Sequence, residues 1–127
     1  EKLDKWKLSI IESCKQSGCA FAPEIKPLGK LDNYLSESSS ASNSLLLVAS
    51  LQEGSYSINN AIRENLDKQS ELHLAVGPEG DFSKTEYASF KDKGFIEVRL
   101  GRNVLRSDTA VTYSLSVVDQ MYSFSNN

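Results

Sequence analysis

Three short strand-like segments, each separated from the next by a helical pattern, constrain the fold of this 127-residue chain more than any other feature. They cover residues 45–49, 72–76 and 96–100. Residues 45–49 are all apolar, which is typical of a strand that is buried on both faces. Strands that alternate with helices form parallel sheets with right-handed crossovers. We therefore predict an α/β domain built on a parallel sheet.

Apolar residues at helical spacing predict the helices. A first helix is indicated over residues 3–14, a short helical turn over 31–35 and a polar, serine-rich loop over 36–44. A helix over 58–66 begins after Ser57, whose hydroxyl suits the N-cap position. A final helix runs from about residue 108 to residue 122. These helices supply the crossovers that a parallel sheet requires.

The helix predicted over residues 83–93 has the clearest end signals in the chain. Ser83 and Glu86 form an S-x-x-E capping box, and Phe82 and Tyr87 occupy the positions of a hydrophobic staple. Gly94 stands where a C-terminal cap is expected. The residues before and within this helix are therefore expected to be held in one conformation.

Composition and charge limit the classes of function. No apolar run approaches the roughly 18 residues that span a bilayer, so no membrane association is predicted. Cys14 and Cys19 lack the partners of a zinc site, and we interpret them as reduced thiols of a cytosolic protein that binds no metal. The net charge of −3 gives no basic surplus for binding phosphates. An RNA substrate would therefore need further contacts from a partner chain or another domain.

Two loops that follow predicted strands are candidate ligand-binding segments, because ligands of parallel sheets bind beyond the carboxyl ends of the strands. Residues 77–83 hold two glycines and a proline, which fix a tight backbone, although a plain strand-to-helix turn has the same composition. Residues 100–110 contain Arg102 and Arg106, which suit an anionic substrate. In the alternative interpretation Ser107 or Asp108 caps the last helix, and the arginines are solvated or form salt bridges. His73, within a strand, is interpreted as structural, and Tyr56, Tyr87 and Tyr113 as packing residues.

Residues 76–83, VGPEGDFS, resemble the GPEGG-F-S motif of the RsmE family, the bacterial uridine N3-methyltransferases of small-subunit ribosomal RNA. Residues 100–110, LGRNVLRSDTA, resemble its LG-x-RILR-x-ETA motif, and the spacing of the two motifs matches. Residues 15–18 and 23–25 are similar to an earlier family segment, so the resemblance covers nearly the whole chain. Asp81 and Asp108 replace a glycine and a glutamate that are usual in the family.

The resemblance implies a SPOUT fold, an α/β domain with a parallel sheet and a deep trefoil knot. Residues 1–127 would be the C-terminal portion of the SPOUT methyltransferase domain, without the N-terminal PUA-like domain of the family. The implied cofactor is S-adenosyl-L-methionine (SAM), and the implied partners are small-subunit ribosomal RNA and a second copy of the chain. The expected cofactor-binding residues come from three loops: Ala49, Leu51, Val76, Gly77, Pro78, Glu79, Gly80, Leu100, Gly101, Asn103, Val104 and Leu105.

The implied reaction is transfer of the sulfonium methyl group to uridine N3 in 16S ribosomal RNA, in the cytoplasm. Arg106 is expected to stabilise the developing negative charge on uracil, with Asp108 orienting it or helping to remove the proton. Three alternatives stay open, namely a SPOUT methyltransferase for another RNA, a catalytically silent RNA-binding or dimerisation domain, and a plain nucleotide-binding α/β module. Cofactor binding would separate the enzymes from the silent domain.

Overall fold

The computed structural model describes residues 2–17, 24–38, 44–51, 54–65, 71–78, 80–101 and 105–124. The chain divides into two compact units, Glu1–Asn33 and Tyr34–Asn127. The first unit contains helix α1 (Lys2–Ser17), which confirms the predicted N-terminal helix. Helix α2 (Leu31–Ser38) confirms the helical turn predicted at this position and extends it by three residues beyond residue 35.

The second unit is a parallel α/β sheet with its helices. In chain order its elements are β1 (Ser44–Ala49), β2 (Tyr56–Ser57), α3 (Ile58–Arg63), β3 (Glu71–Ala75), α4 (Lys84–Asp92), β4 (Ile96–Arg99) and α5 (Ser107–Phe124). The four strands are all parallel and lie in the order β2-β4-β1-β3. The predicted fold class is therefore confirmed, as are the three predicted strands.

Strand β2 was not predicted. It is only two residues long and lies at the edge of the sheet, where Tyr56 pairs with Val98 and Ser57 with Arg99. Both residues of β2 are exposed, and Tyr56 is 62% exposed, so its interpretation as a packing residue was wrong. An exposed strand of this length has no apolar run that would reveal it.

Both faces of β1 are buried. Neighbouring residues of a strand point to opposite faces of the sheet, so the buried residues of β1 fall into two sets. Leu45 and Leu47 belong to a buried cluster with residues of α3 and α5, including Ile58, Ile62 and Ala110. Leu46 and Val48 point the other way and are also buried. Helix α4 contacts β4, and its buried Tyr87 and Phe90 are not part of the α3–α5 cluster. Strand β1 is the centre of the core.

Helix α4 has the ends that the sequence predicted. Ser83 accepts a hydrogen bond from the Glu86 amide at 3.1 Å, and the Glu86 carboxylate accepts one from the Ser83 amide at 2.8 Å, which completes the capping box. Gly94, with φ of 88°, closes the helix while the Phe95 amide donates to the Phe90 carbonyl. Both termini therefore hold α4 in a defined position beside the sheet.

His73 lies inside β3 and is structural, as predicted. Its Nδ1 lies 2.9 Å from the Tyr34 hydroxyl, and its Nε2 lies 3.3 Å from a carboxylate oxygen of Glu71. No helix in the described part of the chain is long and apolar enough to cross a membrane. Over the same residues, no cluster of three or more potential metal ligands is present.

Candidate functional site

A cleft opens at the carboxyl ends of β1, β3 and β4, which is where parallel sheets bind ligands. It is built from the segments that follow these three strands and from the start of α5. The residues that line it are Ala49, Ser50, Leu51, Val76, Gly77, Pro78, Asp81, Leu100, Leu105, Ser107 and Ala110. The two loops that the sequence singled out therefore meet at one site.

A hydrogen bond joins these two loops. The Ser107 hydroxyl, in the first turn of α5, donates to the Gly77 carbonyl at 2.8 Å. Gly77 is also packed tightly, since a Cβ atom at this position would lie 3.1 Å from the Phe82 ring. Any larger residue would push the Phe82 ring away from the cleft wall. The glycine is therefore needed for close packing of the loop.

Asp81 shapes the other side of the first loop. Its φ of 66° lies in the left-handed region, which aspartate tolerates better than most residues. Its amide donates to the Pro78 carbonyl at 2.8 Å, closing the turn. The family motif usually has a glycine at this position, and Asp81 adopts a backbone conformation that glycine would adopt freely. The departure from the family motif therefore keeps the turn.

The Asp81 carboxylate is held by Tyr87 of α4. The Tyr87 hydroxyl donates to Asp81 Oδ1 at 2.5 Å and lies 3.4 Å from the Ala49 carbonyl oxygen. Burial raises the pKa of the Tyr87 phenol well above its ordinary value, and the hydrogen bond to Asp81 raises it further. The phenol thus stays a neutral donor, and it links the loop after β3 to the end of β1. This contact also explains the burial of Tyr87, which confirms its interpretation as a packing residue.

The lining of the cleft is chemically simple. It consists largely of apolar side chains and backbone, and Asp81 is its single ionisable side chain among the described residues. Apolar walls suit a flat aromatic group, and exposed backbone amides and carbonyls can bind its polar edges. A lone carboxylate favours a ligand that carries positive charge. The cleft therefore suits a ligand with both an aromatic base and a cationic group.

The structure brings together most of the residues predicted to bind a cofactor. Seven of them line the cleft, namely Ala49, Leu51, Val76, Gly77, Pro78, Leu100 and Leu105. Gly80 and Gly101 are not part of its lining, and Gly101 instead borders a second cavity. Glu79, Asn103 and Val104 lie outside the described residues.

The two predicted catalytic residues lie close together beside the cleft. Arg106 Nε is 3.6 Å from Asp108 Oδ1, and both side chains are about three-quarters exposed, at 76% and 75%. Asp108 Oδ1 also accepts a hydrogen bond from the Thr109 amide at 2.9 Å. Arg106 stands between Leu105 and Ser107, which both line the cleft. The guanidinium group is thus tied to Asp108 while it remains open to solvent.

Four lining residues are absent from the predicted set of site residues, namely Ser50, Asp81, Ser107 and Ala110. Asp81 was visible as a charged residue in a glycine-rich loop, and Ser107 as a hydroxyl at a helix start. Ala110 lies one turn into α5 and gave no signal, because a small buried residue there is ordinary helix packing.

Comparison with known proteins identifies the family. Residues 1–119 match the model of the RNA methyltransferase domain. The ribosomal RNA small subunit methyltransferase E of Aquifex aeolicus is 33% identical over 118 residues, which are 93% of this chain and 48% of that protein. Among solved structures, the methyltransferase Lpg2936 of Legionella pneumophila with bound SAM superposes with a TM-score of 0.80 at 31% identity, covering 94% of this chain and 46% of that one.

The ribosomal RNA small subunit methyltransferase E of Neisseria gonorrhoeae, bound to S-adenosyl methionine, shares the fold. Its TM-score is 0.76 at 23% identity, with 94% of this chain and 47% of that chain covered. The chain spans about half the length of the relatives that it matches over most of its own length. It belongs to the RNA methyltransferase domain family and, within it, to the RsmE family of the SPOUT superfamily.

Proposed function

We propose that the chain is the cofactor-binding, C-terminal portion of a SAM-dependent methyltransferase that methylates N3 of a uridine in 16S ribosomal RNA. One observation carries this proposal. The two motif loops of the family meet in an apolar cleft whose single charged lining residue among those described is a carboxylate. That lining has the chemistry that a cationic nucleoside cofactor needs, and the Aquifex aeolicus and Neisseria gonorrhoeae relatives are named as methyltransferases of small-subunit ribosomal RNA.

SAM fits the residues of the cleft. Leu100, Leu105 and Val76 offer apolar surface for the adenine ring, and Asp81 offers negative charge for the cationic part. SAM would supply an electrophilic methyl group on a sulfonium centre. The chain would bind the adenosine, exclude water with its leucine side chains and hold the loops rigid through the Ser107–Gly77 hydrogen bond. Rigid loops position the reacting groups at low entropic cost.

Arg106 and Asp108 would act on the uridine. Uridine N3 carries a proton at neutral pH, so its attack on a methyl group requires removal of the proton or stabilisation of the uracil anion. The Arg106 guanidinium is always charged and presents a planar set of donors for that anion. Asp108 already pairs with Arg106 at 3.6 Å, which supports an orienting role more directly than a role as the base.

The remaining family features are part of the same proposal. Exposed apolar side chains on one flank of α5, Val111 at 43% and Leu115 at 61%, support a homodimer in which a second copy covers them. We further propose that the fold contains the trefoil knot of SPOUT proteins and that the complete protein has a PUA-like domain that binds RNA. We also propose that the reaction takes place in the cytoplasm.

Calorimetric titration with SAM and S-adenosylhomocysteine tests the cofactor site, with ATP as the control ligand. Saturable binding of both SAM and S-adenosylhomocysteine at micromolar concentration, with no heat from ATP, is the expected result. Binding of ATP alone would identify a plain nucleotide-binding module. No binding to a chain whose circular dichroism spectrum is folded would refute the cofactor site.

The Arg106→Ala variant tests the catalytic proposal. It should abolish methyl transfer to 16S ribosomal RNA while SAM affinity stays within about threefold, because the side chain is exposed and absent from the cleft lining. Arg63→Ala, an exposed arginine at the far end of α3, is the matched control and should retain activity. Retained turnover in Arg106→Ala would refute the assignment, and transfer to a different RNA by the unsubstituted protein would correct the substrate.

A further inference from the structure

A second cavity opens beside the cleft at the same edge of the sheet. It is lined by Ser55, Ser57, Ile58, Asn59, Arg99, Gly101 and Tyr113. Ser57 and Arg99 face each other in the β2–β4 ladder and are the last residues of these two strands. The cavity therefore lies at the carboxyl ends of β2 and β4. The cleft lies at the carboxyl ends of the next strands in the sheet, and neighbouring strands are about 4.8 Å apart.

The chain passes directly from one cavity to the other. Arg99 and Gly101 border the second cavity, whereas Leu100, between them, lines the cleft. The Arg99 Nη2 group donates to the Leu51 carbonyl at 3.2 Å, and Leu51 also lines the cleft. Gly101, with φ of 75°, lies against the Tyr113 ring, whose hydroxyl would be 3.5 Å from a Cβ at that position. A ligand that enters the cleft is thus next to the second cavity.

The polar side chains that line the second cavity can all donate hydrogen bonds, and none of them carries a negative charge. No carboxylate lines it among the described residues, although acidic residues outnumber basic ones, 17 to 14, in the whole chain. Glu97 stands on the same side of β4 as Arg99, but its carboxylate accepts from the Ser50 hydroxyl at 3.4 Å. Within the described part of the chain, Arg99 forms no ion pair with a carboxylate, and the guanidinium keeps donors beyond the one used for Leu51.

We propose that this second cavity binds the phosphodiester backbone of the RNA substrate, with the Arg99 guanidinium as the principal contact. The inference rests on the proposed function, since it gives the nucleic acid a place beside the methyl-transfer cleft. A planar, charged fork of donors matches a phosphate group, and the Asn59 amide and the Tyr113 hydroxyl add neutral donors. A phosphate contact positions the strand without reading its sequence, so the target base stays free to enter the cleft.

The inference is tested by fluorescence anisotropy with two labelled oligoribonucleotides of equal length, one rich in uridine and one abasic, over a series of salt concentrations. Arg99→Ala should weaken binding of both probes about tenfold and lower the slope of log affinity against log salt by about 0.7, the loss of one single-strand phosphate contact. Arg99→Lys should keep the slope, because the charge remains, while losing part of the affinity. Arg63→Ala is the control and should bind as the unsubstituted protein does.

Several results would overturn the inference. These are absence of binding by the unsubstituted protein, equal losses in Arg99→Ala and Arg63→Ala, and a loss that occurs with the uridine probe but not with the abasic one. The last result would show that the cavity binds a base. Failure of the cofactor titration is a separate result. It would refute the proposed function, whereas an Arg99-dependent salt slope would still establish the phosphate contact.

Discussion

The backbone at Asp81 offers the sharpest test of how this site is built. Its φ of 66° is left-handed, and a residue such as alanine pays about 1–2 kcal/mol to adopt that conformation. Glycine pays nothing there, but its unfolded chain is more flexible, which costs about 0.4–1 kcal/mol of stability. The two terms oppose each other. Asp81→Ala should therefore be less stable than Asp81→Gly by about 0.5–1 kcal/mol.

Gly80 is the matched control, because it adjoins Asp81 and has the opposite expectation. Its φ is not positive, and a Cβ atom there would meet nothing within 4 Å. Gly80→Ala should therefore gain about 0.4–1 kcal/mol through the unfolded state alone. Alanine should thus be more stable than glycine at position 80, whereas the Asp81→Ala variant should be less stable than the Asp81→Gly variant.

Loss of the Tyr87 hydrogen bond adds to the effect at position 81. A hydrogen bond to a charged acceptor contributes about 1.5–3 kcal/mol, and Tyr87 is only 5% exposed. Asp81→Asn keeps an acceptor and tolerates the left-handed backbone, so the expected order of stability is Asp, then Asn, Gly and Ala. Urea unfolding followed by circular dichroism resolves this order, since 0.5 kcal/mol shifts the midpoint by about 0.3 M at ordinary slopes. Equal or greater stability of Asp81→Ala than of Asp81→Gly would refute the strain argument.

The Asp81 series also measures the charge of the bound cofactor. SAM carries a sulfonium cation that S-adenosylhomocysteine lacks, so a carboxylate in the cleft should favour SAM. Asp81→Asn should weaken SAM about threefold to tenfold and S-adenosylhomocysteine less, as expected for a partly screened charge contact. Calorimetry with both ligands gives the ratio, and equal losses would place the Asp81 charge away from the sulfonium group.

Two further predictions concern α4. Its buried Tyr87 phenol has a pKa raised above the unfolded value of 10.0, so its contribution to stability is fully present below about pH 10 and declines as the pH rises further. Tyr87→Phe should lose about 1–2 kcal/mol at pH 7 and show a weaker alkaline decline in urea midpoints measured from pH 8 to 11, whereas an unchanged decline would contradict the linkage. Ser83→Ala should cost about 1 kcal/mol by removing the capping box. Ser89→Ala, at a half-buried serine later in the same helix, is its control, and equal midpoints for the two variants would contradict the role of the cap.

The sheet and the position of the cleft could be predicted from the sequence because both follow from local patterns. The buried strand β1 has an uninterrupted apolar run, and the capping box at Ser83 placed the start of α4 within one residue. The rule that ligands bind beyond the carboxyl ends of parallel strands then located the site. Family resemblance added the identity of the cofactor, which no pattern of periodicity contains.

The contacts that hold the site together could not be predicted in the same way. Ser107 donates to a carbonyl 30 residues away, and the pairing depends on how two loops meet after the sheet has formed. Tyr87 could be assigned to the staple with Phe82, which is local, but not to Asp81 and Ala49, which the fold brings to it. Strand β2 could not be predicted because its two exposed residues are recognisable as a strand only from their pairing with β4.

The acidic net charge of the chain and the RNA substrate are compatible because binding depends on where the charges lie. Asp81 places its negative charge inside the cleft, where a cationic cofactor would bind. Arg99, at the end of β4, and Arg106, immediately before α5, do not line the cleft, and both are exposed. Attraction to phosphate falls off within a Debye length of about 8 Å at physiological salt, so carboxylates on distant surfaces do not cancel the charge of Arg99. The charge of Arg106 is partly offset by Asp108, which lies 3.6 Å away. On this arrangement a weak salt dependence is expected, with few phosphates contacted, and a steep slope from the unsubstituted chain would require basic contacts beyond Arg99 and Arg106.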